Sequence, residues 1–248
     1  MKLRSICLSV YTVVFLSLIV LTSGLCAMMP ESEPEISEEL AQIDPTDMSL
    51  YYAMGEYYPP DTVDTLNIDW QGGRVEVVAY NGSDYFVEEA STRYLLENER
   101  LAYTLDGSVF SLRFTDTPET VISDAYKKIE VRIPREIAAK LKSLNINTNG
   151  EVILKNITAE KITVNGKTGN VAFSDSYSSS TTITTTSGNV NLAVDNAIGY
   201  GIDFRSKQGR LDSYIDNGLD SYVSGDGKYP FTVKTKSGNL DVTLYQDE

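Results

Sequence analysis

The residues best suited to chemistry lie in one short segment of the C-terminal third. Asp203, Arg205, Arg210 and Asp212 bring two carboxylates and two guanidinium groups together. Enzymes that cleave polysaccharides need convergent carboxylates with lysine or arginine on one face, often around Ca²⁺. The same sequence is typical of a solvent-exposed strand with cross-strand charge pairs, and we favour that interpretation.

Most other catalytic arrangements are excluded by composition. The chain has no histidine, which removes the commonest general base, a common metal ligand and every Ser-His or Cys-His pair. Its two cysteines, Cys7 and Cys26, both lie near the N-terminus, so the body has no disulfide or thiolate metal site. We therefore predict that the protein is not an enzyme and has no cofactor or metal site.

An insertion at about 212–228 offers a candidate contact surface instead. It is rich in aspartate, tyrosine and glycine, but its aspartates lack the spacing of an EF-hand and of calcium β-rolls. Tyrosines on a loop are good contact residues, and they are equally suited to packing on the body. The predicted binding residues are Tyr214, Asp216, Asp220, Tyr222 and Tyr229.

The N-terminus predicts export. Lys2 and Arg4 precede an apolar run that ends near residue 21, and small residues follow, so 1–27 is a signal peptide or an uncleaved membrane anchor. Cys26 is a candidate lipidation site, although Leu25 departs from the small residue that normally precedes an acylated cysteine. Residues 28–62 are acidic and contain no basic residue, which predicts a flexible, extended spacer.

The charge of the chain limits its partners. A formal net charge of −14 repels phosphate backbones, so we predict no nucleic-acid binding. We expect contact with the membrane only through the N-terminal segment. The expected location is outside the cytoplasm, at the cell surface, anchored or secreted.

An internal repeat organises the rest of the chain. Aligned glycines recur in steps of 19, 19, 21 and 29 residues, and the longest step contains the insertion. A period of about 19–21 residues predicts stacked structural units. The copies are 144–154, 162–173, 183–192, 202–211 and 231–244, with a distant sixth copy at 66–77. Their turn glycines are Gly150, Gly169, Gly188, Gly209 and Gly238.

Each copy reads as two short strands around its glycine. In one copy, Ile162 and Val164 alternate with polar residues before Gly169, and Val171 and Phe173 do so after it. The glycine permits a tight antiparallel hairpin or, as we favour, the corner of a solenoid coil with a positive φ. One copy buries too few apolar side chains to fold alone, so the copies must shelter one another.

The outward positions of the repeats are polar. They suit hydrogen bonding to a glycan or a protein, and they equally suit a strand that only faces water. These positions are Asn145, Asn147, Thr163, Asn165, Thr184, Thr186, Thr232, Lys234 and Lys236.

The segment 63–134 is a more divergent set of strands. Asp106-Gly107 between two alternating runs predicts a hairpin, 128–134 predicts a strand and 135–142 predicts a helical turn. We expect these strands to cap one end of the stack and the charged C-terminal residues to end the other.

Two features carry a family resemblance. They are the Thr-x-Ser-Gly-Asn-[Val/Leu]-x-[Val/Leu] segments at 185–192 and 235–242 and the Ile-Glu-Val-Arg-Ile-Pro strand at 129–134. With them, 63–248 resembles a bacterial envelope family described as putative adhesins. The resemblance implies an all-β solenoid of stacked two-strand repeats outside the membrane. It carries over no catalytic residue.

Three functions remain open at this point. The first is a non-catalytic surface binding or adhesion module whose ligand is a glycan or a protein. The second is a structural or regulatory envelope protein linked to envelope-stress signalling. The third, weaker alternative is a polysaccharide-active β-helix enzyme.

Overall fold

In the repeat copies, strands alternate between two sheets as the chain advances, because a glycine corner separates the two strands of each copy. The computed structural model describes residues 52–58, 63–115, 126–195, 197–213 and 221–245. All of them belong to the unit that spans Asp44–Glu248. The prediction of an all-β fold is confirmed.

Each sheet has nine strands, which we number in chain order. Across sheet A the order is β1 (Tyr52–Tyr58), β4 (Tyr85–Ser91), β7 (Lys127–Pro134), β3 (Arg74–Tyr80), β9 (Glu151–Lys155), β11 (Val171–Ser174), β13 (Val190–Asp195), β18 (Leu240–Tyr245) and β15 (Leu211–Ser213). Across sheet B it is β16 (Ser221–Ser224), β14 (Tyr200–Ser206), β17 (Tyr229–Thr235), β12 (Tyr177–Thr185), β10 (Thr158–Asn165), β8 (Ser143–Thr148), β2 (Thr65–Trp70), β6 (Val109–Arg113) and β5 (Ala102–Asp106).

The repeats form a coil and not a row of hairpins. Each copy contributes one strand to sheet B and the next strand to sheet A, and we call such a pair a rung. Neighbouring rungs pair in parallel, as β8, β10 and β12 do in sheet B. In sheet A, β9, β11 and β13 follow the same pattern. The solenoid prediction is confirmed, and β2–β3 is the predicted sixth copy.

The core is a set of columns that run along the stack. Val152, Val171, Val190 and Leu240 are direct neighbours in register across sheet A, and each is fully buried. Because the repeat places the same inward position in each rung, apolar side chains cover one another between the two sheets.

The order of rungs along the stack differs from their order in the chain. The last copy in the sequence, β17–β18, lies between β12–β13 and β14–β15. Our prediction that the C-terminal residues end the stack is therefore wrong. The three-residue strand β15 stands at the edge of sheet A, where a short strand offers little for another chain to pair with.

Antiparallel strands close both sheets at the N-terminal end of the stack and sheet B at the other end. At the N-terminal end, β6–β7 pairs with β2–β3, β5 then pairs with β6, and β4 with β7. β1 pairs with β4, so the prediction of a flexible spacer is wrong for 52–58, whose backbone hydrogen bonds complete an edge. At the other end β16 pairs antiparallel with β14.

The hairpin and the helical turn that were predicted in the N-terminal part are both present. The hairpin β5–β6 turns at Gly107, whose φ is +57°. The helical turn predicted over 135–142 is the short helix α1 (Arg135–Ala138). A single 3₁₀ turn, Glu97–Glu99, precedes β5.

The repeat glycines are required for close approach and not for a left-handed backbone. None of the five has a positive φ, which corrects that expectation. At each of these five glycines, the backbone instead passes so close to the carbonyl of the corner glycine in the neighbouring rung that an added Cβ would overlap it. The contacts are Gly150 on Gly73, Gly169 on Gly150, Gly188 on Gly169, Gly238 on Gly188, and Gly209 on Gly238.

Side chains on both flanks of the glycine complete the corner. The backbone N–H of Gly188 donates to the buried Thr185 Oγ1 at 2.9 Å, and Gly238 donates to Thr235 Oγ1 at 2.8 Å. The residue after the glycine builds an asparagine ladder. The N–H of Asn189 donates to Asn170 Oδ1 at 3.0 Å, and the N–H of the next asparagine along the stack donates to Asn189 Oδ1.

Candidate functional site

Two of the three tyrosines predicted to bind a ligand pack in part against the stack. Tyr222 and Tyr229 are partly buried, and their rings lie 5.9 Å from Tyr200 and 5.3 Å from Tyr177, centroid to centroid. Burial raises the pKa of Tyr177 and of Tyr200 to about 12. The residues of the insertion that reach the described structure therefore help to cover its C-terminal end.

Four of the other predicted residues cannot be placed. Tyr214, Asp216 and Asp220, together with Cys26, lie outside the described residues, as do the predicted signal segment and most of the spacer.

Three of the charged residues weighed for catalysis can be placed, and they lie on two sides of a glycine corner. Arg205 donates to both carboxylate oxygens of its strand neighbour Asp203, at 2.7 and 3.2 Å, on the exposed face of sheet B. This hydrogen bonding lowers the pKa of Asp203. Arg210 lies past the glycine corner, on the side of sheet A, where its backbone N–H donates to Asn239 Oδ1. An ionised carboxylate held by its own neighbour is a poor general acid.

The outer face of sheet B brings polar residues of four rungs together. Alternation along each strand points Leu66, Ile68 and Trp70 inward, so the residues between them face outward. Parallel registration then aligns like positions in two rows across β6, β2, β8 and β10. We call this surface the amide face, which comprises Ser111, Asn67, Asn145 and Thr163 in one row and Arg113, Asp69, Asn147 and Asn165 in the other.

Hydrogen bonds connect the first row of the amide face. Asn145 Nδ2 donates to Asn67 Oδ1 at 2.9 Å, and Asn67 Nδ2 donates to Ser111 Oγ at 3.2 Å. Among the described residues, the buried hydroxyl of Thr163 has no hydrogen-bond partner, although it is next to Asn145 in register. A buried polar atom without a partner is costly, so this hydroxyl is suited to a ligand or an ordered water.

The face is concave. A depression of about 440 Å³ lies over β6, β2, β8 and β10 and is lined by residues of both rows. A second depression of about 330 Å³ continues around the corner, lined by Trp70, Thr148, Gly166 and Lys167 among others. Asp69, Asn147 and Asn165 line both, so the two form one continuous surface.

Sequence reasoning found half of this site. The residues at 145, 147, 163 and 165 were predicted to face outward, and they do. Asn67, Asp69, Ser111 and Arg113 were missed as site residues. The copy at 66–77 carried a usable signal, because aligning it with 144–154 places Asn67 beside Asn145 and Asp69 beside Asn147.

A buried lysine closes the N-terminal end of the core. The Nζ atom of Lys127 lies 2.7 Å from Glu89 Oε1 and donates to the carbonyl oxygens of Glu99 and Phe114. It also lies 4.0 Å from the ring centroid of Phe114. Burial lowers the pKa of Lys127. The side chain is fully shielded from solvent, so this cluster holds the cap together and does not form an open site.

The described part of the chain has neither a metal cluster nor a membrane-spanning helix. Its aspartate and glutamate residues form no group of three that could hold a metal ion. No helix in the same ranges is both long and apolar enough to cross a membrane.

Comparisons with known proteins agree with this architecture. A putative cell adhesion protein from Clostridium sporogenes superposes with a TM-score of 0.58 at 10% identity, covering 79% of this chain and 100% of that one. A putative adhesin from Bacteroides fragilis gives a TM-score of 0.34 at 8% identity, with 81% and 100% coverage. No curated protein sequence matches the chain.

The family match is the more specific finding. At 10% identity the Clostridium structure supports the fold alone, and the Bacteroides superposition is too weak to support an argument. Residues 138–244 match the family described as Toastrack DUF4097. The predicted resemblance to repeat proteins described as putative adhesins is thereby confirmed, and the family match covers the repeat region of this chain.

Proposed function

We propose that this protein is a non-enzymatic binding module at the cell surface, and that it binds a glycan on the amide face. The observation that carries the proposal is the pair of aligned polar rows over a depression of about 440 Å³. Carboxamides and hydroxyls both donate and accept hydrogen bonds, as the hydroxyls of a sugar do.

The composition of the face favours a glycan over a protein partner. Protein interfaces are enriched in exposed aromatic residues and methionine at their centre. The amide face is built instead from asparagine, serine and threonine with one aspartate and one arginine, and Trp70, the aromatic residue that lines the adjoining depression, is fully buried. Small polar ligands are held by a few well-placed polar groups of this kind.

The axis of the solenoid suits a linear polymer. Neighbouring strands lie about 4.8 Å apart, so each row presents a polar side chain at that interval along the stack. A chain of sugars that crosses the strands would meet one side chain of each row per rung. The non-catalytic part of the proposal rests on the lack of histidine and on the pairing of Asp203 with Arg205.

Surface location is the third part of the proposal. It is supported by the apolar segment that follows Lys2 and Arg4 and by the similarity in fold to a protein named as a putative cell adhesion protein. Protease treatment of intact cells tests it: the repeat region should be degraded while a cytoplasmic marker survives. A repeat region that resists the protease in intact cells and is degraded only after lysis would contradict a surface location.

The binding test is a glycan screen with the full-length protein, followed by variants of the amide face. Asn67→Ala and Asn147→Ala should each weaken binding of a retained glycan, by roughly tenfold where one hydrogen bond is lost. Asn191→Ala is the matched control, because Asn191 is an exposed outward residue of β13 on sheet A.

Three outcomes separate the parts of this proposal. Equal loss of binding in the Asn191 control would contradict the assignment to the amide face. Retention of no glycan by the wild-type protein would contradict the binding function. Release of new reducing ends from a bound glycan would contradict the non-enzymatic part.

A further inference from the structure

A row of positive charge borders the amide face. Lys167, Lys207, Lys236, Lys234 and Arg205 are all exposed and lie on or beside the corner of sheet B, in the C-terminal half of the stack. We call these five residues the basic row. They stand out in a chain with 21 basic and 35 acidic residues and a net charge of −14.

Backbone hydrogen bonds place the corner lysines one above another. Thr186 N–H donates to the carbonyl of Lys167 at 3.0 Å, and Lys236 N–H donates to the carbonyl of Thr186 at 3.1 Å. Gln208, which follows Lys207, donates to the carbonyl of Lys236 at 3.1 Å. Lysine therefore occupies three of four consecutive rungs. The spacing is about 10 Å from Lys167 to Lys236 and about 5 Å from there to Lys207.

The remaining two charges stand side by side on the strands. Lys234 of β17 is the direct register partner of Arg205 of β14. Like charges directly opposite each other on neighbouring strands destabilise a sheet. Asp203 pairs with Arg205 and also interacts electrostatically with Lys234, whereas Lys167, Lys207 and Lys236 form no ion pair with any carboxylate in the described ranges.

Two basic residues on another surface of the fold are neutralised by carboxylates. Arg74 pairs with Glu151 at 2.7 Å, and Lys155 pairs with Glu76 at 2.7 Å, both on the outer face of sheet A. Carboxylates are therefore available to neutralise lysines in this acidic protein. Lys167, Lys207 and Lys236 instead keep their charge together on one edge, and an anionic ligand would neutralise it.

The basic row is continuous with the amide face. Lys167 lines the corner depression together with Asn147 and Asn165. Asn165, Thr184 and Lys234 are successive neighbours in register across β10, β12 and β17. A linear ligand lying along the solenoid axis would therefore pass from the amide face to the basic row without leaving the surface of sheet B.

We infer that the ligand of this surface is an anionic glycan, a linear polymer whose sugars bear carboxylate or phosphate groups. This inference rests on the proposed function. The amide face binds the hydroxyls, and the basic row binds the acidic groups through charge-assisted hydrogen bonds, which are stronger than neutral ones. Ammonium groups on flexible stems accept either acid.

The test compares one glycan with and without its charge. Full-length protein is titrated with polygalacturonate oligomers and with their fully methyl-esterified form, which keeps the backbone and removes the carboxylates. We expect the acid to bind at least about tenfold more tightly at low salt, and this advantage to shrink as the salt concentration rises. A polyol-phosphate chain such as polyribitol phosphate gives the phosphate arm.

Variants then locate the charge effect. Lys167→Gln/Lys207→Gln/Lys236→Gln should remove the preference for the acid, so that the acid and the methyl ester bind with similar affinity. The matched control, Arg135→Gln/Lys140→Gln/Lys155→Gln, removes three positive charges elsewhere and should keep the preference. Thermal unfolding of each variant verifies that its fold is retained.

The outcomes distinguish this inference from the proposed function. Equal affinity for the acid, the phosphate polymer and the ester overturns the inference and leaves glycan binding standing. Failure to bind any of these glycans, where the screen also retained none, overturns both. Lysine-dependent binding to vesicles of anionic phospholipid that exceeds binding to the glycans would assign the basic row to a membrane surface and overturn the inference.

Discussion

The backbone N–H of Asn239 donates a hydrogen bond of 2.9 Å to the side-chain Oδ1 of Asn189, across 50 residues of sequence. The contact joins copies that are separated in the chain by a whole further copy, 202–211. The hydrogen bond is therefore part of the asparagine ladder at the glycine corner, and it joins two rungs that are not consecutive in the sequence.

We expect Asn189→Ala to destabilise the protein by about 1 kcal/mol, because the N–H of Asn239 loses its acceptor. Urea unfolding measures the difference. Asn191→Ala, on the same strand and also exposed, removes a carboxamide outside the ladder and should change the free energy of unfolding by less than about 0.5 kcal/mol. Equal effects of the two substitutions would refute a stabilising role for the ladder.

Two glycines of neighbouring corners should respond to alanine with opposite sign. In Gly188→Ala the new Cβ overlaps the carbonyl of Gly169, so we expect a loss of at least about 2 kcal/mol. At Gly166 the nearest atom to a new Cβ is 3.8 Å away and φ is not positive, so Gly166→Ala should stabilise by about 0.4–1 kcal/mol. Thermal unfolding compares both with wild type, and a stable Gly188→Ala protein would contradict the close approach.

Deleting 229–248 should disrupt more than the end of the chain. The deletion removes β17–β18 from the interior of the stack, so β14 and β15 lose their parallel partners. We expect the amides of β14 to lose their protection from hydrogen exchange. Deleting 246–248, which removes no described strand residue, should leave that protection intact. Protected β14 amides in the longer deletion would show that the rung order is not needed.

The pH dependence of stability should reveal the pair formed by Glu99 and Arg93. Hydrogen bonds from Arg93 to both carboxylate oxygens, at 2.7 and 2.8 Å, with help from the N–H of Leu96, lower the pKa of Glu99 to about 2. A lowered pKa means that the ionised carboxylate stabilises the folded state at pH values above 4.5, the ordinary pKa of a glutamate. This contribution is lost as the pH falls towards 2.

Glu99→Gln should therefore be less stable than wild type at pH 7, and the two should converge between pH 4.5 and about 2. Denaturant unfolding at a series of pH values measures the difference. Glu97→Gln is the control, because Glu97 is exposed on the same turn. A Glu99→Gln deficit that stays constant down to pH 2 would contradict the role of the charge.

Much of this fold could be predicted from the sequence, because each repeat copy contains its own pattern of apolar residues around a glycine. Val152, Val171 and Val190 follow their glycines at a constant offset, and that pattern alone placed them in one buried column. Asn145 and Asn165 were assigned to the outer face for the same reason: side chains alternate along a strand, and no knowledge of a partner strand is needed.

What the sequence could not decide was which strand lies next to which. Asn67 meets Asn145 across 78 residues, and β17–β18 enters the stack ahead of β14–β15. Every rung presents nearly the same backbone edges and the same apolar columns, so local pattern favours many stacking orders almost equally. The packing of the whole chain selects one order. β15 is too short for an interior place, and β16 covers β14. The selected order builds the amide face and the basic row.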